Sequence, residues 1–254
     1  MVLVFWLACG IGATIGGSSH SMPTSHEVDR LTKVYAGYRD SDTIQVQWDG
    51  HNLGNQAILS ERQRGIERVL ARHGLLPLRG RHILDVGCGV GHVLADLKAW
   101  GASSSQLVGI DLLPDRIAAA QHNYPELQFQ LTNAEQLDFP DEAFDIVLTF
   151  TVFSSILDPQ MAQNVAQEIV RVLRPRGFLL WYDFRFNNPR NPHVRGMTVR
   201  RISQLFPTLK QNLFSVTLLP PLARRLGRAT PVFYPILTQL PFLRTHYLGL
   251  LQKK

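Results

Sequence analysis

The sequence predicts an α/β protein built on a parallel sheet covered on both faces. Two observations carry this. Short apolar runs alternate with helical stretches from about residue 56 to residue 183. One of those runs, His82-Ile83-Leu84-Asp85-Val86, passes directly into Gly87-Cys88-Gly89-Val90-Gly91 and then into another helix.

Taken in order, residues 56–72 read as a helix, 82–86 as a strand, 91–100 as a helix, 106–110 as a strand and 114–123 as a helix. Strands follow at 127–131 and 144–150, then a helix at 161–173 and a strand at 178–183. Beyond that the rhythm changes: a short helix at 199–205 precedes strands at 213–219 and 246–251. Between these two strands, residues 220–244 hold Pro220, Pro221, Pro231, Pro235 and Pro241. Proline lacks the amide proton and collides with the preceding turn, so this stretch must be broken helical pieces, and it reads as a small helical lid.

With 254 residues, 45% hydrophobic and 18% charged, the composition excludes disordered, collagen-like and coiled-coil chains. It suits one large domain or one domain with a lid. The net charge of +6 hides an asymmetry. Residues 1–183 hold 14 Lys+Arg against all 20 Asp+Glu (14 − 20 = −6), whereas residues 184–254 hold 12 Lys+Arg and no acid. Such a basic region suits something anionic: a phosphorylated substrate, an acidic lipid surface or nucleic acid. The alternative is a solvated basic face docked against the acidic half. Cys9 and Cys88 form no framework and no Cys/His ligand spacing occurs, so a reducing cytosol and no metal are expected.

Residues 2–17 are almost wholly apolar, yet short of a span and without a preceding Lys or Arg. Residues 1–21 are therefore expected to be a leader or a misassigned start, with Met22 as the functional start and a weak membrane anchor as the alternative. Residues 22–55 form a cap segment before a domain spanning 56–254.

The glycine loop lets the backbone turn sharply and lie against a ligand without Cβ interference. A dinucleotide fingerprint would place its third glycine at position 92, which is His92. Asp85 stands before the first glycine, where a carboxylate repels pyrophosphate and favours a ligand bearing positive charge. Asp111 ends the next strand, where an acid accepts hydrogen bonds from ribose hydroxyls.

Together these features resemble the class I S-adenosylmethionine-dependent methyltransferases, in particular the type 11 group, over roughly residues 56–183. Asp85-Val86-Gly87-Cys88-Gly89-Val90-Gly91 is similar to the family's first motif, which holds the methionine part of the cofactor. Asp111 matches the ribose-binding acid, with Leu112 beside the adenine. Within 133–140, Ala134 and Glu135 stand where the family covers the base and its amino group, and 144–149, ending in Thr149, is similar to the fourth strand. Residues 168–177 are similar to the helix and turn before the fifth strand. The resemblance implies a Rossmann-like doubly wound sheet of seven strands, the last antiparallel, and S-adenosyl-L-methionine as cofactor.

Methyl transfer from a sulfonium needs the acceptor held behind the methyl carbon, and an alcohol acceptor also needs a base. Many relatives carry histidines after the fourth strand, where this chain has Ser154 and Ser155. The Asn/Asp-Pro-Pro-Tyr signature of nucleic-acid and protein-glutamine enzymes is missing, which argues against base N-methylation. The end of the fifth strand offers Asp183 and His193 as candidate bases. Arg185, Arg190 and Arg195 are candidate anion binders for the acceptor. Tyr35, Tyr38, Arg39 and Trp48 precede the core in a segment that often folds over the cofactor in this family, and Tyr38 is a candidate acceptor contact.

The expected activity is methylation, at oxygen, of a small or amphiphilic acceptor such as a sugar, a glycolipid or a secondary metabolite. Competing readings are C-methylation of a quinone-type or other lipid, a nicotinamide oxidoreductase disfavoured by Asp85 and His92, and a non-catalytic cofactor-binding module. The expected location is cytoplasmic, with membrane association and peripheral membrane contact as the alternative, and the apolar and basic lid suits an amphiphilic acceptor or else caps a small hydrophobic one. No obligate nucleic-acid partner is expected, since no aromatic-rich RNA motif accompanies the basic tail.

Overall fold

The computed structural model describes residues 26–41, 46–47 and 49–254. The expectations for residues 1–21 and for Trp48 lie outside the described residues. Helix α1 (His26–Arg39) precedes α2 (Leu53–Arg72), and an alternating run follows. It comprises β1 (Ile83–Val86), α3 (His92–Lys98), β2 (Leu107–Asp111), α4 (Pro114–Asn123), β3 (Gln128–Leu131), β4 (Phe144–Phe150), α5 (Pro159–Val172) and β5 (Leu173–Phe184). The chain closes with α6 (Val199–Leu205), β6 (Leu209–Leu218), α7 (Pro220–Arg225), α8 (Thr230–Leu237) and β7 (Arg244–Lys253).

The seven strands lie in the order β3-β2-β1-β4-β5-β7-β6. β1 to β5 run parallel, and only β7 runs against its neighbours β5 and β6. The order reverses at β1, so the crevice beyond its C-terminal end is the switch point where open α/β sheets take ligands.

Local chemistry sets the helix boundaries. Asn52 caps α2 by accepting from the amides of Gly54 and Asn55, so that helix begins at Leu53, ahead of the expected residue 56. Asp158 caps α5 with Pro159 in its first turn.

Two cores sandwich the sheet. On one face Leu84, Val147 and Trp181 meet α1, α5 and α6, with Trp181 stacked on Phe153 at 5.2 Å. On the other, Ile83, Ile146 and Leu180 meet α2, α3 and α4. Each fully buried aliphatic side chain contributes about 1.5–3 kcal/mol, so α2 is fixed mainly by Ile66, Val69 and Leu70.

Residues 220–244 are the broken pieces that their prolines dictate: α7, a 3₁₀ turn at Gly227–Ala229, α8 and another at Pro241–Leu243. They pack on α2 and β6 through Ile58, Leu218, Ala223 and Tyr234. The fit is close: a Cβ added at Gly54 would lie 2.2 Å from the Ala223 carbonyl oxygen.

Candidate functional site

β1 delivers the chain to Gly87, whose φ of +73° and close approach to Val152 demand glycine. The Gly87 and Cys88 amides both donate to the Ile110 carbonyl, at 2.8 and 2.9 Å, which folds the loop onto the end of β2. There the Asp111 carboxylate accepts from Gly89 N at 2.9 Å and from Leu113 N at 3.0 Å. Burial raises the pKa of Asp111, and those amides together with Arg116 oppose the rise.

Asp85 is 1% exposed, and neither of its carboxylate oxygens has a hydrogen-bond partner. Burial pushes its pKa up to about 8, Asp111 adds to the rise, and Arg62 draws it back. An unpaired buried carboxyl is costly to a fold that gains nothing from it. Arg62, which the sequence reading passed over, lies with its guanidinium 5.7 Å from the Phe150 ring centroid and 5.6 Å from that of Tyr182. An acid and a guanidinium beside a glycine loop match the ammonium and carboxylate of an amino-acid zwitterion.

A cleft of about 740 Å³, open mouth included, runs along the ends of β1, β2 and β4. Gly87, Asp111, Leu112 and Ala134 line it, together with Asn133, Phe150, Thr151 and, from α1, Leu31 and Tyr35. Thr151 holds φ at +58°, an uncommon conformation for a β-branched residue, while its amide donates to the Tyr182 carbonyl at 2.7 Å.

Other predicted cofactor residues do not line the cleft. Cys88 is buried, its thiol pKa pushed up by burial and then by Asp85 and Asp111. Gly91 caps α3 with φ +88°, and a Cβ there would meet Phe129 at 2.7 Å. The Thr149 hydroxyl is buried without a partner. The Glu135 carboxylate accepts from the side-chain amides of Asn133 and Asn164, so the side chain at the cleft wall is that of Asn133.

The acceptor candidates separate. Asp183 is buried, accepting from Ser154 N at 3.0 Å and Phe184 N at 2.7 Å. Burial lifts its pKa to about 6 against those hydrogen bonds. His193 is exposed on a loop, and neither candidate base lines the cleft. Tyr38 exchanges hydrogen bonds with Asn191 on that same loop. Arg195 and Asn191 border a shallow second depression, while Arg190 is exposed and donates its backbone amide to Asn188. Arg185 turns elsewhere, stacked on Phe186 and Tyr247 and donating to the Pro241 carbonyl at 3.1 Å. Sequence reasoning also passed over His246, whose ring lies parallel to Tyr182 with centroids 4.6 Å apart. Burial, then Arg62, pushes its pKa down to about 3, leaving a neutral imidazole.

Helix α1 is latched over the cleft. Buried Glu27 accepts from Leu157 N at 2.6 Å and pairs with Arg30, whose guanidinium also reaches the Ser155 carbonyl. Tyr35 shares a 2.9 Å hydrogen bond with Ser155 and lies under Arg116 at 4.5 Å. Hydrogen bonds to charged groups contribute roughly 1.5–3 kcal/mol. Glu27→Ala should therefore raise the amide exchange of residues 26–39 at least tenfold relative to the sheet, measured by hydrogen–deuterium exchange.

Comparison with known proteins agrees with this geometry. The methyltransferase-domain family matches residues 84–181. The chain is 38% identical over 132 residues to phthiotriol/phenolphthiotriol dimycocerosates methyltransferase 1 of Mycobacterium ulcerans, covering 50% of this chain and 47% of that protein. It is 32% identical over 152 residues to the ubiquinone biosynthesis O-methyltransferase of Azorhizobium caulinodans, covering 55% and 58%. The chain thus spans about half the length of these curated relatives. A solved S-adenosylmethionine-dependent methyltransferase from Methanosarcina mazei superposes with a TM-score of 0.55 at 20% identity, over 72% of this chain and 96% of that one, which shows the fold. Residues 84–181 thus match the methyltransferase-domain family on the fold of a solved S-adenosylmethionine-dependent methyltransferase, and S-adenosyl-L-methionine is the cofactor that this likeness implies.

The residues present fit that cofactor. Asp111 would offer an acceptor to the ribose and Asn133 and Ala134 a wall for the base, while Asp85 and Arg62, neither of which lines the cleft, would offer an unpaired carboxyl to the ammonium and a cation to the carboxylate. Among the described residues no cluster of metal-ligating side chains occurs, and no helix is long and apolar enough to cross a membrane.

Proposed function

We propose that this chain is a methyltransferase that moves the cofactor's methyl group to a hydroxyl of an amphiphilic, lipid-like acceptor. The observation that carries the cofactor half is Asp85, a fully buried carboxylate left without a partner at the first glycine of the loop. The acceptor half is supported by relatives named for a dimycocerosate lipid and for ubiquinone biosynthesis. The carboxylate-free region after Asp183 adds an anionic preference.

The cofactor supplies an electrophilic methyl on a sulfonium. The protein's part is positioning and exclusion of water, and holding two reactants in attack geometry can supply about 7–11 kcal/mol. α1 walls one side of the cleft with Leu31 and Tyr35. Asp183, which does not line the cleft, positions the loop after β4 by holding Ser154 N. Arg195, with Asn191 and Tyr38, is proposed to bind an anionic group of the acceptor.

The test is incubation of the full chain with methyl-labelled cofactor and fractionated cell extract. Label should enter a lipid fraction as a methoxy group identified by mass spectrometry. Cofactor binding with label in no fraction would support a non-catalytic module, and label in RNA or protein would overturn the acceptor class.

A further inference from the structure

The outer face of the segment between β6 and β7 has the composition of a surface that docks elsewhere. Helix α8 turns Tyr234 inward, where its hydroxyl donates to Glu61 at 2.6 Å. Its other face leaves Val232 61% exposed and Ile236 55% exposed, with Phe233 between them, and Phe242 follows at 72%. The patch is continuous with the end of β5. Arg185 donates to the Pro241 carbonyl while stacking 4.5 Å from the centroid of Phe186, itself an exposed aromatic residue.

Single exposed apolar residues are ordinary, but a contiguous group of them marks a contact site. The charge around this group selects the contact. Arg225 and Arg228 stand exposed just before α8, and residues 184–254 contain 12 Lys+Arg and no Asp or Glu. Glu61, an acid beneath the segment, is engaged with Tyr234 and the Thr217 amide. A protein partner of mixed charge would find nothing here for its own basic residues. Aromatic and aliphatic side chains rimmed by arginines suit the interface of a bilayer carrying anionic headgroups.

We propose that the outer face of α8 and the turn at Pro241–Leu243, with Phe186 and the exposed arginines, docks this protein on an anionic lipid surface. The docking goes beyond the acceptor reading and needs neither cofactor nor acceptor. Its failure would leave methyl transfer to a dissolved acceptor standing, and failure of methyl transfer would leave it untouched.

The experiment is sedimentation of the full chain with vesicles of mixed phosphatidylglycerol and phosphatidylcholine, against phosphatidylcholine alone. Binding should be at least tenfold tighter to the anionic vesicles and should weaken with added salt. The variant V232E/F233E/F242E should lose at least tenfold, and R225Q/R228Q should lose the preference for anionic vesicles, both with unchanged circular dichroism and cofactor affinity. The apolar residues 2–17 are the same in every variant, so binding that survives all five substitutions overturns the proposal. So does an absence of vesicle binding, or a dimer that the triple variant dissolves while vesicle binding stays nil.

Discussion

Asp85→Asn should raise the dissociation constant for S-adenosylmethionine by tenfold to a hundredfold and remove a pH dependence that the native protein carries. In the free protein Asp85 has a pKa of about 8, so at pH 7 it is mostly protonated. An ammonium bound beside it favours the ionised form, so binding near pH 7 releases a proton. Native affinity should therefore climb as pH rises toward 8 and then level off, whereas the asparagine variant should show a flat profile there. A hydrogen bond to a charged group is worth roughly 1.5–3 kcal/mol, which sets the expected loss.

The same residue gives a stability signature in the absence of cofactor. Its folded pKa stands above the ordinary 3.8, so between about pH 4 and pH 8 the folded protein binds more protons than the unfolded chain. Asp85 therefore makes the fold less stable as pH rises through that window. Asp85→Asn, which cannot ionise, should gain stability relative to the native protein across it. Urea unfolding at the two ends of the window reads this directly, and equal differences at both ends would contradict the burial assigned to Asp85.

Asp111→Ala should have the larger effect on binding, a loss of a hundredfold or more by calorimetry. The substitution removes the acceptor placed for ribose hydroxyls, and it also frees the amides of Gly89 and Leu113, which hold the glycine loop against β2. The fold should persist by circular dichroism with a lowered melting temperature, because the sheet and both cores do not depend on this carboxylate. Asp138→Ala, an exposed acid on the segment after β3, should leave affinity within about twofold, as surface substitutions away from such features generally do. Unchanged affinity in the Asp111 variant would remove the nucleoside from this cleft.

Much of the fold was legible because local signals agreed with the tertiary answer. Pro114 fixes the start of α4, and the run at Phe144–Phe150 is apolar enough for a central parallel strand. The prolines in 220–244 forecast short helical pieces and nothing longer. Strand ends were harder to read. β5 begins at Leu173, because Arg174 to Gly177, which looks like a plain turn, stays in the sheet as an irregularity with Arg176 at φ +64°. β6 begins at Leu209, its polar residues belonging to an edge strand paired only with β7.

The cofactor cleft was legible where glycines and strand-ending acids are dictated by the turn itself, as at Gly87 and Asp111. It was not legible where long-range packing chooses the side chain. Arg62 reaches the Phe150 and Tyr182 rings from the middle of α2, where an arginine looks like any solvated helix residue. Asn133 lines the cleft while donating to Glu135, which also accepts from Asn164 of α5, a long-range contact that the local sequence does not announce. Arg185 is close to Arg190 and Arg195 in sequence, yet just past the end of β5 its contacts with Phe186, Tyr247 and the Pro241 carbonyl take it to a different place. The basic end of the chain divides accordingly into a loop beside α1 and a patch at α8.

The most direct measurement is a calorimetric titration of the full chain with S-adenosylmethionine at pH 7, run in two buffers of different ionisation enthalpy. Saturable one-to-one binding with net proton release is the predicted result. No saturable heat, or binding without proton release that Asp85→Asn leaves unchanged, would contradict the assignment of this cleft and its buried carboxylate.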